Sequence, residues 1–359
     1  MKIPGSVSPE FGDSPLVTIA IPTFNRASWL GGCVAAALAQ TYQHFEVLVS
    51  DNASTDDTAL ILGRINDRRL RVVRQPTNIG LIENWNATLA EAKGDYIVFV
   101  SDDDRIVPGL LQRCMSVIQS QPQTAIVAAL SDVHFLADGR TWAAPTSTKL
   151  RTGACDGMDI LQEFLREQIS IPLCSILIRT EVLRAKGGFR VDLPYAGDHL
   201  VCASIWFTER VGFVNEACGT VCVHNENETS RLALETRLRC VRRVVDSILA
   251  MADQFVSEDR KRRRIKLEAQ RYFARHAIRT LASWRRQGTH LFDVLPLVWE
   301  WREDLGRVGF QDAILLRKPI ALLLIPGAMT RSIVKLARIL HWKSSVPHIR
   351  GPQEEAKRN

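Results

Sequence analysis

No stretch of this chain stays apolar for the ~20 residues that a membrane-spanning helix needs. Its most apolar run, Pro319-Ile320-Ala321-Leu322-Leu323-Leu324-Ile325-Pro326, falls far short. Residues 1–15 lack the apolar segment of a cleaved export signal, so a disordered lead-in and a cytoplasmic chain are expected. The eight cysteines, at 33, 114, 155, 174, 202, 218, 222 and 240, contain no CxxC pair and no compact His/Cys spacing. That argues against an organised zinc site or a redox dithiol and leaves reduced core thiols. Neither GxGxxG nor GxxxxGKS/T occurs, so the dinucleotide fingerprint and the P-loop are both missing. A strong charge imbalance is missing too: 46 Lys and Arg against 39 Asp and Glu leave +7. This mild excess suits a polyanionic substrate, a nucleic acid or an anionic membrane surface without choosing among them.

At 359 residues the chain is long enough for about two structural units. From Leu16 to about Leu130, short β-rich runs alternate with helical patterns, the mark of a mostly parallel sheet covered by helices. Strands are expected at 16–22, 46–50, 70–74, 95–100 and 125–130, and helices near 28–40, 56–66, 80–92 and 108–120. Farther on, Ala137-Asp138-Gly139-Arg140 reads as a hairpin turn, with a short helix near 157–167, strands at 171–178 and 211–217, and a helix near 197–208. Beyond Ser230 the texture turns helical and basic, with Arg260-Lys261-Arg262-Arg263-Arg264 and Trp284-Arg285-Arg286 as its densest clusters. The expected division is a lead-in at 1–15, a catalytic α/β domain at 16–230 with halves 16–130 and 131–230, a basic helical extension at 231–345, and a tail at 346–359. Within the extension, residues 312–342 flank an apolar core with Arg and Lys, which fits either a helix lying in a membrane interface or an amphipathic helix packed on the catalytic domain.

The most telling segment is Gly94-Asp95-Tyr96-Ile97-Val98-Phe99-Val100-Ser101-Asp102-Asp103-Asp104, a buried strand that ends in three consecutive carboxylates. One Asp would suffice to cap the following helix. Three repel one another, so their place at the carboxyl end of a strand points to a cation or a polyphosphate-metal complex. Ligand sites of open α/β sheets lie at that edge. Two earlier strands deliver polar loops to the same edge: Ile21-Pro22-Thr23-Phe24-Asn25-Arg26, and Val49-Ser50-Asp51-Asn52-Ala53-Ser54-Thr55-Asp56. A nucleotide site without the missing glycine motifs needs a metal to neutralise phosphate, and the Asp run supplies the oxygen ligands.

These blocks, together with Asn78-x-Gly80, Asn86 and Ala92-Lys93-Gly94-Asp95-Tyr96, resemble the family-2 glycosyltransferases of GT-A fold over about residues 16–230. The resemblance implies a nucleotide-sugar site bordered by Pro22, Thr23, Asn25, Arg26, Asp51, Asn78, Gly80, Asn86, Asp102 and Asp103. It also implies a DXD-type metal motif in Asp102, Asp103 and Asp104, with Asp102 and Asp104 as ligands and His224 as a further one. Asp198, at the start of a helical pattern, corresponds to the catalytic base. The chain departs from the family in three places: Ser101 stands where Asp is common, Trp85 where an Arg often precedes the Asn, and Gly197 where an acidic residue usually precedes the base.

What the resemblance implies is inverting transfer of a sugar from a nucleoside-diphosphate sugar to a hydroxyl of a glycan or lipid-linked acceptor, in bacterial surface polysaccharide biosynthesis. Mg²⁺ or Mn²⁺ suits carboxylate and phosphate oxygens. Contact with an anionic membrane at the inner face of the cytoplasmic membrane is expected from the basic extension, and no nucleic-acid partner is expected. One rival, a sugar-1-phosphate nucleotidyltransferase, would open on a Gly-rich phosphate loop that Ile21 to Arg26 does not provide. A non-catalytic nucleotide-sugar-binding protein with a degenerate transferase domain is the other.

Overall fold

Alternating apolar strands and helices in the first half of the chain build one sheet with helices on both faces. The computed structural model describes residues 14–224, 227–286 and 291–306. It divides into two units, Met1–Val223 and His224–Asn359. In chain order the first unit contains β1 (Val17–Thr23), α1 (Ala27–Leu38), β2 (Phe45–Asp51), α2 (Thr58–Gly63), β3 (Leu70–Arg74), α3 (Leu81–Glu91), β4 (Tyr96–Phe99), β5 (Arg105–Ile106), α4 (Leu110–Ser120) and β6 (Thr124–Phe135). There follow β7 (Arg140–Trp142), β8 (Gly153–Cys155), α5 (Gly157–Leu165), a 3-10 turn (Leu173–Ser175), β9 (Ile176–Arg179), α6 (Thr180–Ala185), α7 (Gly197–Thr208) and β10 (Arg210–Val223).

The sheet order is β3-β2-β1-β4-β9-β6-β10-β5, with β7 added on β6 and β8 on β10. The first four strands are parallel neighbours. Since β9 pairs antiparallel with both β4 and β6, β6 runs in the direction of β4, and β10 lies parallel to β6. All the long strands therefore share one carboxyl edge. The sheet is mixed: parallel across β3-β2-β1-β4, with antiparallel pairs at β9 and the short edge strands. The expected strand at 171–178 is shorter than its apolar run. Ser175 donates its hydroxyl to Ala129 O at 2.8 Å and Pro172 O at 2.9 Å, which tightens 173–175 into a 3-10 turn before β9 begins.

Period-two alternation decides what each face buries. Val17, Ile19, Ile21, Val47, Val49, Val98, Val127 and Ala129 point to the side of α1 and α4, where they meet Leu30, Val34, Leu110 and Met115. The opposite face of the first two strands carries Thr18, Ala20, Leu48 and Ser50, and there α3 packs on β1 and β2. Ser50 and Asn84 exchange two hydrogen bonds across that contact, at 2.7 and 3.0 Å. Gly94, before β4, approaches β1 so closely that an added Cβ would lie 2.4 Å from Thr18 N.

The second unit is helical over its described residues: α8 (Glu228–Arg231), α9 (Leu234–Phe255), α10 (Asp259–Arg286), α11 (Leu291–Glu300) and α12 (Arg302–Leu305). Buried Leu238, Val241, Val245, Ile248 and Ala252 recur at helical spacing along α9. The two long helices pack together, and α10 contributes Ile265, Ala269, Phe273, Ala277 and Leu281 as buried residues. The unit begins at His224, where the long strand ends, and Glu228–Arg231 is already helical. The expected interfacial helix at 312–342, residues 1–13 of the expected lead-in at 1–15, and the tail at 346–359 lie outside the described residues.

Because Thr18 N is backbone and cannot yield, Gly94→Ala is expected to cost about 1–3 kcal/mol, the usual range for forced overpacking. A urea midpoint lowered at unchanged slope would show it.

Candidate functional site at the carboxyl edge of the sheet

Strand direction places the loops after β1, β2, β3 and β4 on one edge. The amino end of α7 joins them. This helix leads straight into β10, so its carboxyl end sits at the amino edge, and its 12 residues carry it back over ~18 Å at 1.5 Å per residue. Asp198 lies in its first turn. It is not the cap, a position held by Ala196 in left-handed conformation (φ 57°). Its carboxylate stands 4.0 Å from His199 Nε2 and is partly exposed.

At the centre of the edge is the acidic run. Asp102, Asp103 and Asp104 are only 8%, 6% and 7% exposed. Thr23, the last residue of β1, donates its hydroxyl to Asp102 Oδ2 at 2.7 Å. Asp104 turns inward: Cys222 N–H donates to its Oδ1 at 3.1 Å, and Cys174 supplies a side-chain hydrogen bond. Burial drives the Asp104 carboxyl well above the usual carboxylate range, and the negative charges of Asp103 and then Asp102 push it further. Burial likewise pushes the Cys33 and Cys174 thiols well up, with neighbouring Asp charges adding to it. All eight cysteines are thiols, none in a disulfide.

The chemistry of this donor set fits a hard divalent cation whose remaining ligands come from a diphosphate, since Mg²⁺ is commonly held by one or two carboxylates plus substrate phosphates. Of the expected ligands Asp102, Asp104 and His224, the first two lie in this run. Among the described residues no three His, Cys, Asp or Glu side chains converge as a metal cage. Asp104 is committed to Cys222 N–H and Cys174, and His224 opens the second unit, where its N–H donates to Asn227 Oδ1 at 2.6 Å.

Several residues expected to border a nucleotide also shape the loops. Asn25 takes a left-handed conformation (φ 52°) that Asn tolerates better than most residues. Its N–H donates to Ser54 Oγ at 2.9 Å, and its Oδ1 accepts from Thr55 N at 2.8 Å, which ties the first loop to the second. Arg26 is buried at the start of α1, and Pro22 lies in register with Ser50 inside the sheet. Both carboxylate oxygens of Asp51 are engaged, Oδ1 by Ser54 N–H at 2.8 Å and Oδ2 by the Arg74 guanidinium. The half-exposed group at this point is therefore Arg74, which pattern reasoning missed because it closes an ordinary edge strand.

Asn78 accepts from Gly80 N at 3.0 Å and from Asn52 Nδ2 at 2.9 Å. Gly80 (φ 100°) holds a conformation that Cβ-bearing residues avoid, and an added Cβ would strike Glu83. Asn86 is engaged as well. Midway along α3, it spends its amide on the Phe189 backbone, donating to O and accepting from N, both at 2.8 Å. That makes it a clamp on the loop after α6. Trp85, in the place of the usual Arg, stacks on Phe99 (5.6 Å) and meets Phe189 edge-on (5.1 Å), closing an aromatic cluster under β4.

This edge geometry has counterparts. Residues 18–177 match the model described as Glycosyl transferase family 2. Over those residues the chain is similar to that family. Two curated relatives are a chondroitin synthase of Pasteurella multocida (strain Pm70), 27% identical over 233 residues that make 62% of this chain and 22% of that one, and the Escherichia coli UDP-Glc:alpha-D-GlcNAc-diphosphoundecaprenol beta-1,3-glucosyltransferase WfaP, 37% identical over 89 residues, 25% of this chain and 36% of that one. The chain thus spans between a fifth and two fifths of the length of these glycosyl transferase relatives. Among solved structures, S. aureus TarS 1–349 in complex with UDP-GlcNAc superimposes with a TM-score of 0.60 at 16% identity, covering 93% of this chain and 99% of that one. The mannosyltransferase PcManGT from Pyrobaculum calidifontis, in complex with GDP-Man and Mn²⁺, gives 0.52 at 18% identity, covering 93% and 91%. The fold is of the GT-A type.

A carboxyl pKa raised by folding makes the native state bind its proton more tightly than the unfolded chain does. Its stabilising share is complete below the unfolded value and is lost as pH rises through the folded one. In EDTA, Asp104→Asn is therefore expected to raise Tm at pH 7.5, with the gain shrinking as the buffer is acidified. Equal melting of the two proteins at pH 7.5 would rule this out.

Proposed function

We propose that the chain is an inverting glycosyltransferase that moves a sugar from a nucleoside-diphosphate sugar to a hydroxyl of a glycan or lipid-linked saccharide in bacterial surface polysaccharide biosynthesis. The observation that carries the reading is the run of three nearly buried carboxylates at the carboxyl edge, with Thr23 bound to Asp102. The likeness to a chondroitin synthase and to a glucosyltransferase named for a diphosphoundecaprenol acceptor supports the polysaccharide context.

The proposed donor site uses the loops after β1 to β4, with Asp102 and Asp103 as the ligands of Mg²⁺ or Mn²⁺. When bound, the ion offsets the charge that builds on the departing diphosphate. The protein residues supply the rest. Thr23 fixes the Asp102 carboxylate through its hydroxyl, while Asp104, held from β10, braces the end of the run. Arg74, half-exposed above Asp51, presents its guanidinium to the nucleotide; the network joining Asn25, Ser54, Asn52 and Asn78 orders the loops around it. Asp198 accepts the proton of the acceptor hydroxyl as that oxygen attacks the anomeric carbon, and the bond to the diphosphate oxygen breaks on the opposite face, inverting the configuration.

Release of nucleoside diphosphate from UDP-, GDP- and dTDP-sugars, measured with Mn²⁺, Mg²⁺ or EDTA, tests this. Turnover of one donor is expected, with loss in EDTA. Asp198→Asn should lower kcat about 10²–10⁴-fold, the range for removing a general base, and leave the affinity for the donor near that of the wild type. Binding of a donor without turnover, even with membrane extract as acceptor, would replace the enzyme by a nucleotide-sugar-binding protein.

A further inference from the structure

The chain's positive charge is concentrated in one helix. In α10 there are 11 Lys and Arg against two acidic residues, a net +9. The whole chain carries only +7, so the remaining residues are together slightly acidic, at −2. Such a concentration is costly where it begins, since cations in the first turns of a helix oppose its dipole.

Local acids compensate for part of it. Asp259 pairs with Arg262, Asp253 on α9 pairs with Lys266 at 2.7 Å and approaches Arg262 at 3.9 Å, and Glu268 approaches Arg271 at 3.9 Å. Arg260, Arg263 and Arg264 are exposed and have no acidic partner among the described residues. With Leu267 they occupy positions i, i+3, i+4 and i+7, one stripe of the helix. The buried side of α10 starts with Ile265, Ala269 and Phe273, so the Arg stripe faces away from the helix pair. Large apolar groups accompany it in this unit. Leu267 is 38% exposed within the stripe, Phe255 at the end of α9 is 45% exposed, and Trp299 is 70% exposed with the Arg302 guanidinium 4.5 Å over its ring.

We propose that the Arg260–Arg263–Arg264–Leu267 face of α10 docks the protein on a bilayer surface that carries anionic phospholipid headgroups. Charge complementarity selects the class of partner, and exposed Leu267 favours a surface with an apolar layer beneath its phosphates over a nucleic acid. No helix among the described residues is long and apolar enough to cross a membrane. The inference rests on the proposed lipid-linked acceptor only for its biological reason: a transferase that elongates such an acceptor must work at the bilayer.

The full chain is tested by co-sedimentation with vesicles of phosphatidylcholine alone and of phosphatidylcholine with a third phosphatidylglycerol. Binding to the anionic vesicles alone is expected, weakening as salt is raised. Replacing Arg260, Arg263 and Arg264 together by Gln should lower the partition coefficient on the order of 100-fold, at about fivefold for each basic residue near such a surface. The matching triple Lys variant should bind as the wild type, which separates loss of charge from loss of fold. Equal binding of the Gln variant and the wild type, equal binding to both vesicles, or tighter binding to an RNA oligonucleotide than to anionic vesicles at 150 mM salt would each overturn the proposal. Donor affinity, measured by calorimetry on the same proteins, should not move. If no donor binds to any of them, the transferase reading has failed and the docking result still stands or falls by itself.

Discussion

Like charge crowded at the end of a buried strand is the constraint around which the first unit is arranged. Three successive carboxylates with little access to water repel each other. The surrounding chain holds them individually. The β1 hydroxyl of Thr23 fixes Asp102, the β10 backbone at Cys222 fixes Asp104, and the 3-10 turn brings Cys174 to the same carboxylate. These three supports come from residues 23, 174 and 222, so the site exists only when distant parts of the chain close on it.

The reversal at β9 is what allows that closure. Because β9 runs against both its neighbours, β6 and β10 regain the direction of β1 to β4 and bring their carboxyl ends to the same edge. Both strands are long. Their first halves complete the central sheet, and their second halves pair with β7 and β5. From β10 the backbone N–H of Cys222 reaches Asp104, while α7, just before it, brings Asp198 to the edge. Connectivity thus links the cation-binding and proton-accepting parts of the proposed reaction.

Loop chemistry is equally distributed. Asn25, Asn52, Asn78 and Asn86 look alike as polar loop or helix residues, yet each spends its amide on a particular backbone or side-chain partner. Such amides make donor and acceptor bonds together, so they suit the joining of two loops. What is left for a ligand is less than the number of polar residues suggests. Arg74, from an otherwise plain strand end, is the more accessible group.

Read by itself, the sequence determined the parallel nucleotide half, the helix at 197–208, the helical basic extension and the location of the acidic run, because hydrophobic periodicity and a triple Asp are local signals. It also carried the family resemblance, through blocks whose order survives without any contact being known. Only the tertiary structure decided that Asp104 faces the core, that Asn86 clamps Phe189, that Asp51 is saturated by Ser54 and Arg74, and that Trp85 completes an aromatic cluster. Each of those depends on a partner 3 to 118 residues away, and side-chain direction at a loop or helix surface is set by that partner rather than by propensity.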